Sequence, residues 1–157
     1  MNLLCTRQNL FALGMAGVLV LGASAACHAD DGKSLKPLAL RTIMQDMGKN
    51  MQTMTDGIAR SDWKLVEKAA AQVADHPQPP AEEKLRIIAF IGAEMGRFKG
   101  YDSEANDHAL AAGVAAKAGD GKAVIRAFGQ LQTSCLSCHT TFREPFAAHF
   151  YGKKVAP

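Results

Sequence analysis

Residues 135–139 read Cys-Leu-Ser-Cys-His, the one place in the chain where reactive side chains stand at a spacing suited to specific chemistry. Two thiols three positions apart, with an imidazole beside the second, suit covalent attachment of haem. Each thiol adds to a vinyl group and the adjacent His ligates the iron. On an α-helix Cys138 lies about 60° to one side of Cys135 and His139 about 40° to the other, so the three share a face. The apolar residues of this segment are Val124, Phe128 and Leu131, continuing through Cys135 and Cys138 to Phe142. Their alternating four- and three-residue intervals are those of a core-facing seam, which turns the thiols toward an interior.

Two other chemistries use cysteine pairs. A redox Cys-x-x-Cys opens a helix after a strand, and no strand alternation precedes this one. A zinc site needs further Cys or His ligands at short spacing, and the other two cysteines, Cys5 and Cys27, fall in a leader-like stretch. Residues 1–29 have a start whose one charge is Arg7, an apolar run over 10–21 and the small residues Gly22, Ala23, Ser24, Ala25 and Ala26. This is the pattern of a secretory signal peptide. A retained anchor and a lipoprotein acylated at Cys27 are the competing readings; Ser24 stands where a lipoprotein signal has a large aliphatic residue. Cleavage after Ala23-Ser24-Ala25 is one option. Cleavage after Ala29 is the preferred one and leaves a single domain over 30–157, exported to the periplasm and free of the membrane.

The elements that must position the trio are helical. The 157 residues contain 27 alanines against 20 Val, Ile and Thr together, a balance that disfavours a sheet. A first helix is expected over 37–58, with Pro37 in its first turn and Gly57 closing its end. Met44, Met47, Met51 and Met54 fall within about 80° of arc on it, a single stripe. A second runs over 62–75, capped by Ser61 or Asp62, with Val66, Ala69, Ala70 and Val73 inward, and is broken by His76-Pro77-Gln78-Pro79-Pro80. A third starts near Ala81 with Glu82 and Glu83 in its first turn and a face of Ile88, Ile91, Met95 and Phe98. After Lys99-Gly100-Tyr101 an Ala-rich helix capped by Ser103 or Asp102 reaches Lys117, and past the tight turn Ala118-Gly119-Asp120-Gly121 a last one runs to about Arg143, before Pro145. The expected fold is all-α: an antiparallel four-helix bundle with one extra short helix, the cofactor held by the C-terminal helix. Aromatics are only 6% of the chain, so a haem would also supply core volume.

Charge excludes one class of partner. Residues 30–157 carry 17 Lys and Arg against 15 Asp and Glu, and no basic block is dense enough for nucleic acid. Lys153 and Lys154 read as a solvated tail.

Only 18 residues follow His139 and none is Met, so a sixth iron ligand must come from upstream. The methionine stripe is the obvious source; one of the four at most can bind, and the rest pack. Spacing alone permits Met44, Met47 or Met51. His108 and His149 read as surface or satisfied histidines.

The C-terminal Cys-x-x-Cys-His followed by Phe142-Arg143, together with Arg41-Thr-Ile-Met44-Gln-Asp-Met-Gly48-Lys-Asn-Met51 on the first helix, resembles the cytochrome c-prime family. The resemblance covers nearly all of 30–157 and is loose over 60–120; residues 82–101 depart from the shorter forms. It implies a four-helix bundle with one haem c. Typical members are five-coordinate, with an apolar residue on the distal side, and usually dimeric through their first two helices. The low-spin cytochrome c-556 type uses a first-helix Met. Carried over by position, that ligand is Met44, and Arg41 lies near a haem propionate. Monomer and homodimer both stay open.

With Met44 on the iron, the expected role is single-electron transfer between periplasmic redox proteins, without enzymatic activity. The alternative is a five-coordinate protein that binds NO or CO. A peroxidase-like enzyme would need distal acid–base groups, which the apolar first-helix stripe does not offer.

Overall fold

The computed structural model describes residues 37–152, so the leader expected over 1–29, the termini of the 30–157 domain and the Lys153-Lys154 tail lie outside the described residues. Among the described residues there are helices and no strands. They are α1 (Ala39–Arg60), α2 (Trp63–Ala74), α3 (Ala81–Ile91), α4 (Met95–Lys117), α5 (Gly121–Cys138) and α6 (Glu144–Tyr151). None of them is long and apolar enough to cross a membrane.

Helices α1, α2, α4 and α5 form the expected bundle. Residue pairings fix its antiparallel sense: Gly113 of α4 packs on Ala70 of α2, while His76, just past the end of α2, meets Asp102 near the start of α4. The inward residues expected on α2 are all buried, as are Val124 and Leu131 on α5. Ala105, Ala109, Ala112 and Ala116 make the inner face of α4, and such small side chains let it approach both α2 and α5 closely. With Met54, Val66 and Val73 these form the first core. A second core, of Leu38, Ile87, Ile91, Phe142, Phe146 and Phe150, lies where α1 begins and α3 and α6 pack. Aromatic edges dominate it; Phe90 meets Phe146 at 5.8 Å and Phe98 meets Phe142 at 5.3 Å between ring centroids.

Caps explain most of the boundaries. Asp62 accepts from the Leu65 N–H at 3.1 Å, and Asp120 from the Ala123 N–H at 2.9 Å. Leu38, at the start of α1, has no side-chain acceptor to offer. The cap comes from α3 instead: the two Glu83 carboxylate oxygens accept from the Ala39 and Leu40 N–H groups at 2.7 and 2.8 Å.

Four sequence expectations need correction. Gly57 does not end α1, which closes at Ser61 with a left-handed φ of 55°. Gly57 is where α2 crosses: a Cβ there would come within 2.8 Å of a Val66 methyl and 3.2 Å of the Asp62 carbonyl oxygen. The break expected at Lys99-Gly100-Tyr101 falls at Gly92, whose φ of +57° suits glycine, followed by a single 3-10 turn. Helix α4 runs through Gly100, because Phe98 and Tyr101 both pack on Phe142 and outweigh a glycine cost of about 1 kcal/mol. That earlier break also resets the phase of α3, so Ile87 is buried with Ile91 while Ile88 is 40% exposed. Finally, Pro145 does not end the last helix. A π turn over His139–Arg143 precedes it, and Pro145 sits in the first turn of α6, where a missing N–H costs little. Two short helices, α3 and α6, thus supplement the bundle rather than one.

Two substitutions test this account. Glu83→Ala removes the cap on α1 and lowers stability by about 1–2 kcal/mol in urea unfolding, with Glu83→Gln losing less. Gly57→Ala lowers stability by roughly 1–3 kcal/mol although alanine is the better helix former, because the added methyl meets stiff Val66 and backbone.

Candidate functional site

The structure brings Cys135, Cys138 and His139 together as the sequence anticipates. The two cysteines lie on the last turn of α5, and His139 opens the π turn that follows. Both thiols are free and half-buried. Cys135 packs against the first core, beside which Met47 and Met51 also pack, and Cys138 packs against the second. The trio therefore stands at the junction of the two cores.

Helix α1 packs closely on α2, α2 on α4 and α4 on α5, whereas α1 and α5 approach one another only slightly. The loose flank of the bundle lies between the helix that carries the methionines and the helix that carries the cysteines. Of the stripe, Met54 is fully buried, Met47 and Met51 are half-buried and Met44 is 37% exposed. On the turn that carries Met44, the buried residue is its neighbour Ile43. The Arg41 guanidinium lies 5.4 Å from the centre of the Tyr151 ring on α6.

The electrostatics distinguish the possible uses of the two thiols. Burial pushes the Cys135 thiol up. Cys138 is pushed up to about 11 by burial first and then by the charges of Asp102 and Cys135. A catalytic redox pair has the opposite environment, with its attacking thiol depressed by a helix N-terminus or by a cation. Here the thiols occupy the C-terminal end of α5. No group of three His, Cys, Asp or Glu side chains among the described residues could hold a metal ion on its own. For His139, burial and then the positive charge of Arg143 lower the imidazole pKa. That favours the neutral ring, the form with a lone pair for a metal. The donor set fits haem attachment: two thiols on one helical face with a neutral imidazole one residue on.

The hydroxyls around the trio are occupied. Thr133, Ser137, Thr140 and Thr141 each donate to the carbonyl four residues back, at 2.9, 2.9, 2.8 and 2.9 Å. Ser134 does the same at 3.3 Å. These local bonds keep the hydroxyls within the helix and ease its widening into the π turn.

Sequence reasoning missed three polar groups, one just past α2 and two on α4. His76, read only as part of a helix-breaking segment, is buried against Asp102, and the charge of Asp102 acts on Cys138. Asn106, one turn beyond Asp102, has a buried Oδ1 without a protein donor. Only the antiparallel return of α4 brings Asp102 to His76, and no local pattern marks these three positions. His149 stacks on Phe90 at 4.5 Å between ring centroids, and His108 is half-buried on α4.

A family model described as Cytochrome C' matches residues 39–143, from the first residue of α1 to the last residue of the π turn. No curated protein and no solved structure matches the chain. The matched span contains the whole bundle and the Cys-x-x-Cys-His trio, and the chain belongs to the cytochrome c-prime family of haem-binding cytochromes.

Proposed function

We propose that this chain is an exported monohaem electron carrier of the low-spin cytochrome c-556 type. Cys135 and Cys138 form the two thioethers, His139 is the proximal ligand, Met44 is the sixth ligand and Arg41 accompanies a propionate. The observation that carries the reading is the trio on the last turn of α5, at the junction of two apolar cores and across the loose flank from the methionine helix. The haem, when bound, supplies a reversible one-electron couple.

The protein's own residues do the rest. Two tethers on one helix would hold the group, and the neutral His139 ring would offer its lone pair without a proton to lose. The cores keep water away from much of the site and favour the less charged ferrous state. Three methionines of the stripe are committed to packing, Met54 fully and Met47 and Met51 in part. Met44 is the member left free for another partner, and a thioether ligand opposite His favours ferrous iron. With His139 and Met44 both holding the iron, the group would serve as an electron carrier for periplasmic redox proteins rather than as an enzyme centre. The leader pattern of residues 1–29 supports that compartment.

A specific observation favours a second reading. Ile43 is buried on the same turn of α1, at 8% exposure, and an apolar side chain facing the distal side leaves iron five-coordinate. In that case NO or CO binding is the function and the methionine stripe is packing.

Visible spectra separate the two. The carrier gives a low-spin oxidised spectrum with a weak Met–iron band and no response to CO. Met44→Ala abolishes that band and turns the spectrum high-spin, while Met47→Ala and Met51→Ala keep it. A wild-type protein that is high-spin and shifts on adding CO overturns the carrier in favour of the gas-binding protein. The covalent link has its own check: replacing both Cys135 and Cys138 by Ser leaves haem extractable by acidified solvent, whereas wild-type haem stays with the chain.

A further inference from the structure

The most unusual polar feature outside the trio is His76. Its side chain is 7% exposed, yet both of its ring nitrogens face acceptors. Nδ1 lies 3.0 Å from the Val73 carbonyl oxygen, on its own helix, and Nε2 lies 3.4 Å from Asp102 Oδ1 on α4. A neutral imidazole carries one proton and satisfies only one of these acceptors; the imidazolium satisfies both. The geometry therefore favours the protonated ring, and the hydrogen bond to Asp102 raises its pKa from the ordinary value against the opposing effect of burial. The charges acting on it are Asp102 from α4 and Asp75 at the end of α2, both anionic. From α5, the group within the field of Asp102 is Cys138.

Asp102 thus joins two places. One end of its field favours a proton on His76, and the other falls on a cysteine read above as a haem tether. With the proton present, His76 and Asp102 nearly cancel. Without it, an uncompensated carboxylate remains beside the tether.

Building on the reading of the trio as a haem site, we infer that His76 and Asp102 are positioning residues that link the haem potential to pH, His76 taking up a proton as the haem gains an electron. The step balances simply. One electron from an external reductant goes to the iron, one proton from water goes to the His76 ring, and no other bond forms or breaks. An added negative charge on the haem strengthens proton binding at His76, and by reciprocity a proton at His76 eases reduction. As a general scale, two unit charges ~20 Å apart at an effective dielectric near 20 alter one another's binding constant by about fourfold, and closer charges by more.

A purely structural tie between α2 and α4 behaves differently. Because the folded pKa of His76 is raised, such a tie stabilises the protein fully below the unfolded pKa and is lost as pH rises through the folded value. It would leave the haem potential unmoved.

The test is the midpoint potential of the holoprotein against pH, with the His76 ring followed by NMR in the oxidised and dithionite-reduced forms. We expect the potential to fall as pH rises through the His76 titration, and the reduced protein to bind that proton about threefold tighter or more. In His76→Gln the fall disappears over that range; in Asp102→Asn, should His76→Gln fail to fold, it moves to lower pH. His108→Gln is the control and keeps the wild-type profile. A profile unchanged by His76→Gln or by Asp102→Asn, or equal proton affinities in the two redox states, overturns this inference and leaves the haem reading intact. A chain purified without haem overturns that reading first, and this inference with it.

Discussion

A helix has one inward face, and on α5 that face must serve two cores in succession. Val124 and Leu131 fill the first core, Phe142 belongs to the second, and Cys135 and Cys138 occupy the turn between them. Much else in the structure follows from this hand-over. It places the trio where apolar walls meet from two sides, beside a flank where α1 and α5 approach one another only slightly. It also assigns the two thiols to different neighbourhoods, one against the first core and one under the field of Asp102. A cofactor seated there would join the two cores, which fits the low aromatic content noted in the sequence.

The supporting helices divide the work by side-chain size. Alanines on α4 give up packing volume in return for close approach to α2 and α5, so the bundle is tight on those sides. Bulky aromatics are concentrated at the far end, where α3 and α6 pack over the second core. Glu83 connects the parts: by capping α1 from α3 it anchors the methionine helix to the segment that packs over the second core.

How far the sequence could be read depended on whether a feature was local. The seam of α5, the inner face of α2 and the cap at Asp62 are set by periodicity and by neighbours a few residues away, and all of them hold in the structure. Gly57, Gly100 and Pro145 were misleading for one shared reason. Their local tendency to interrupt a helix yielded to distant packing, against Val66 in the first case, Phe142 in the second and the second core in the third. Met44 and Arg41 came from family likeness rather than from spacing, and the fold places Arg41 on Tyr151. His76 and Asp102 escaped notice because they are 26 positions apart and only the antiparallel return of α4 brings them together.

The π turn has a consequence for the tolerance of the chain to insertion and deletion. A π turn holds one residue more than an α turn needs, so the helix beyond it is rotated by about one residue's worth of arc, on the order of 100°. That offset swings Phe146 and Phe150 away from the line of the α5 seam and onto α3. The distance in sequence from His139 to Phe146 is therefore a register, as strict as the pairing of two strands. Losing one residue between them would restore a regular helix and present the aromatic face of α6 to solvent, with the second core left open beneath Cys138.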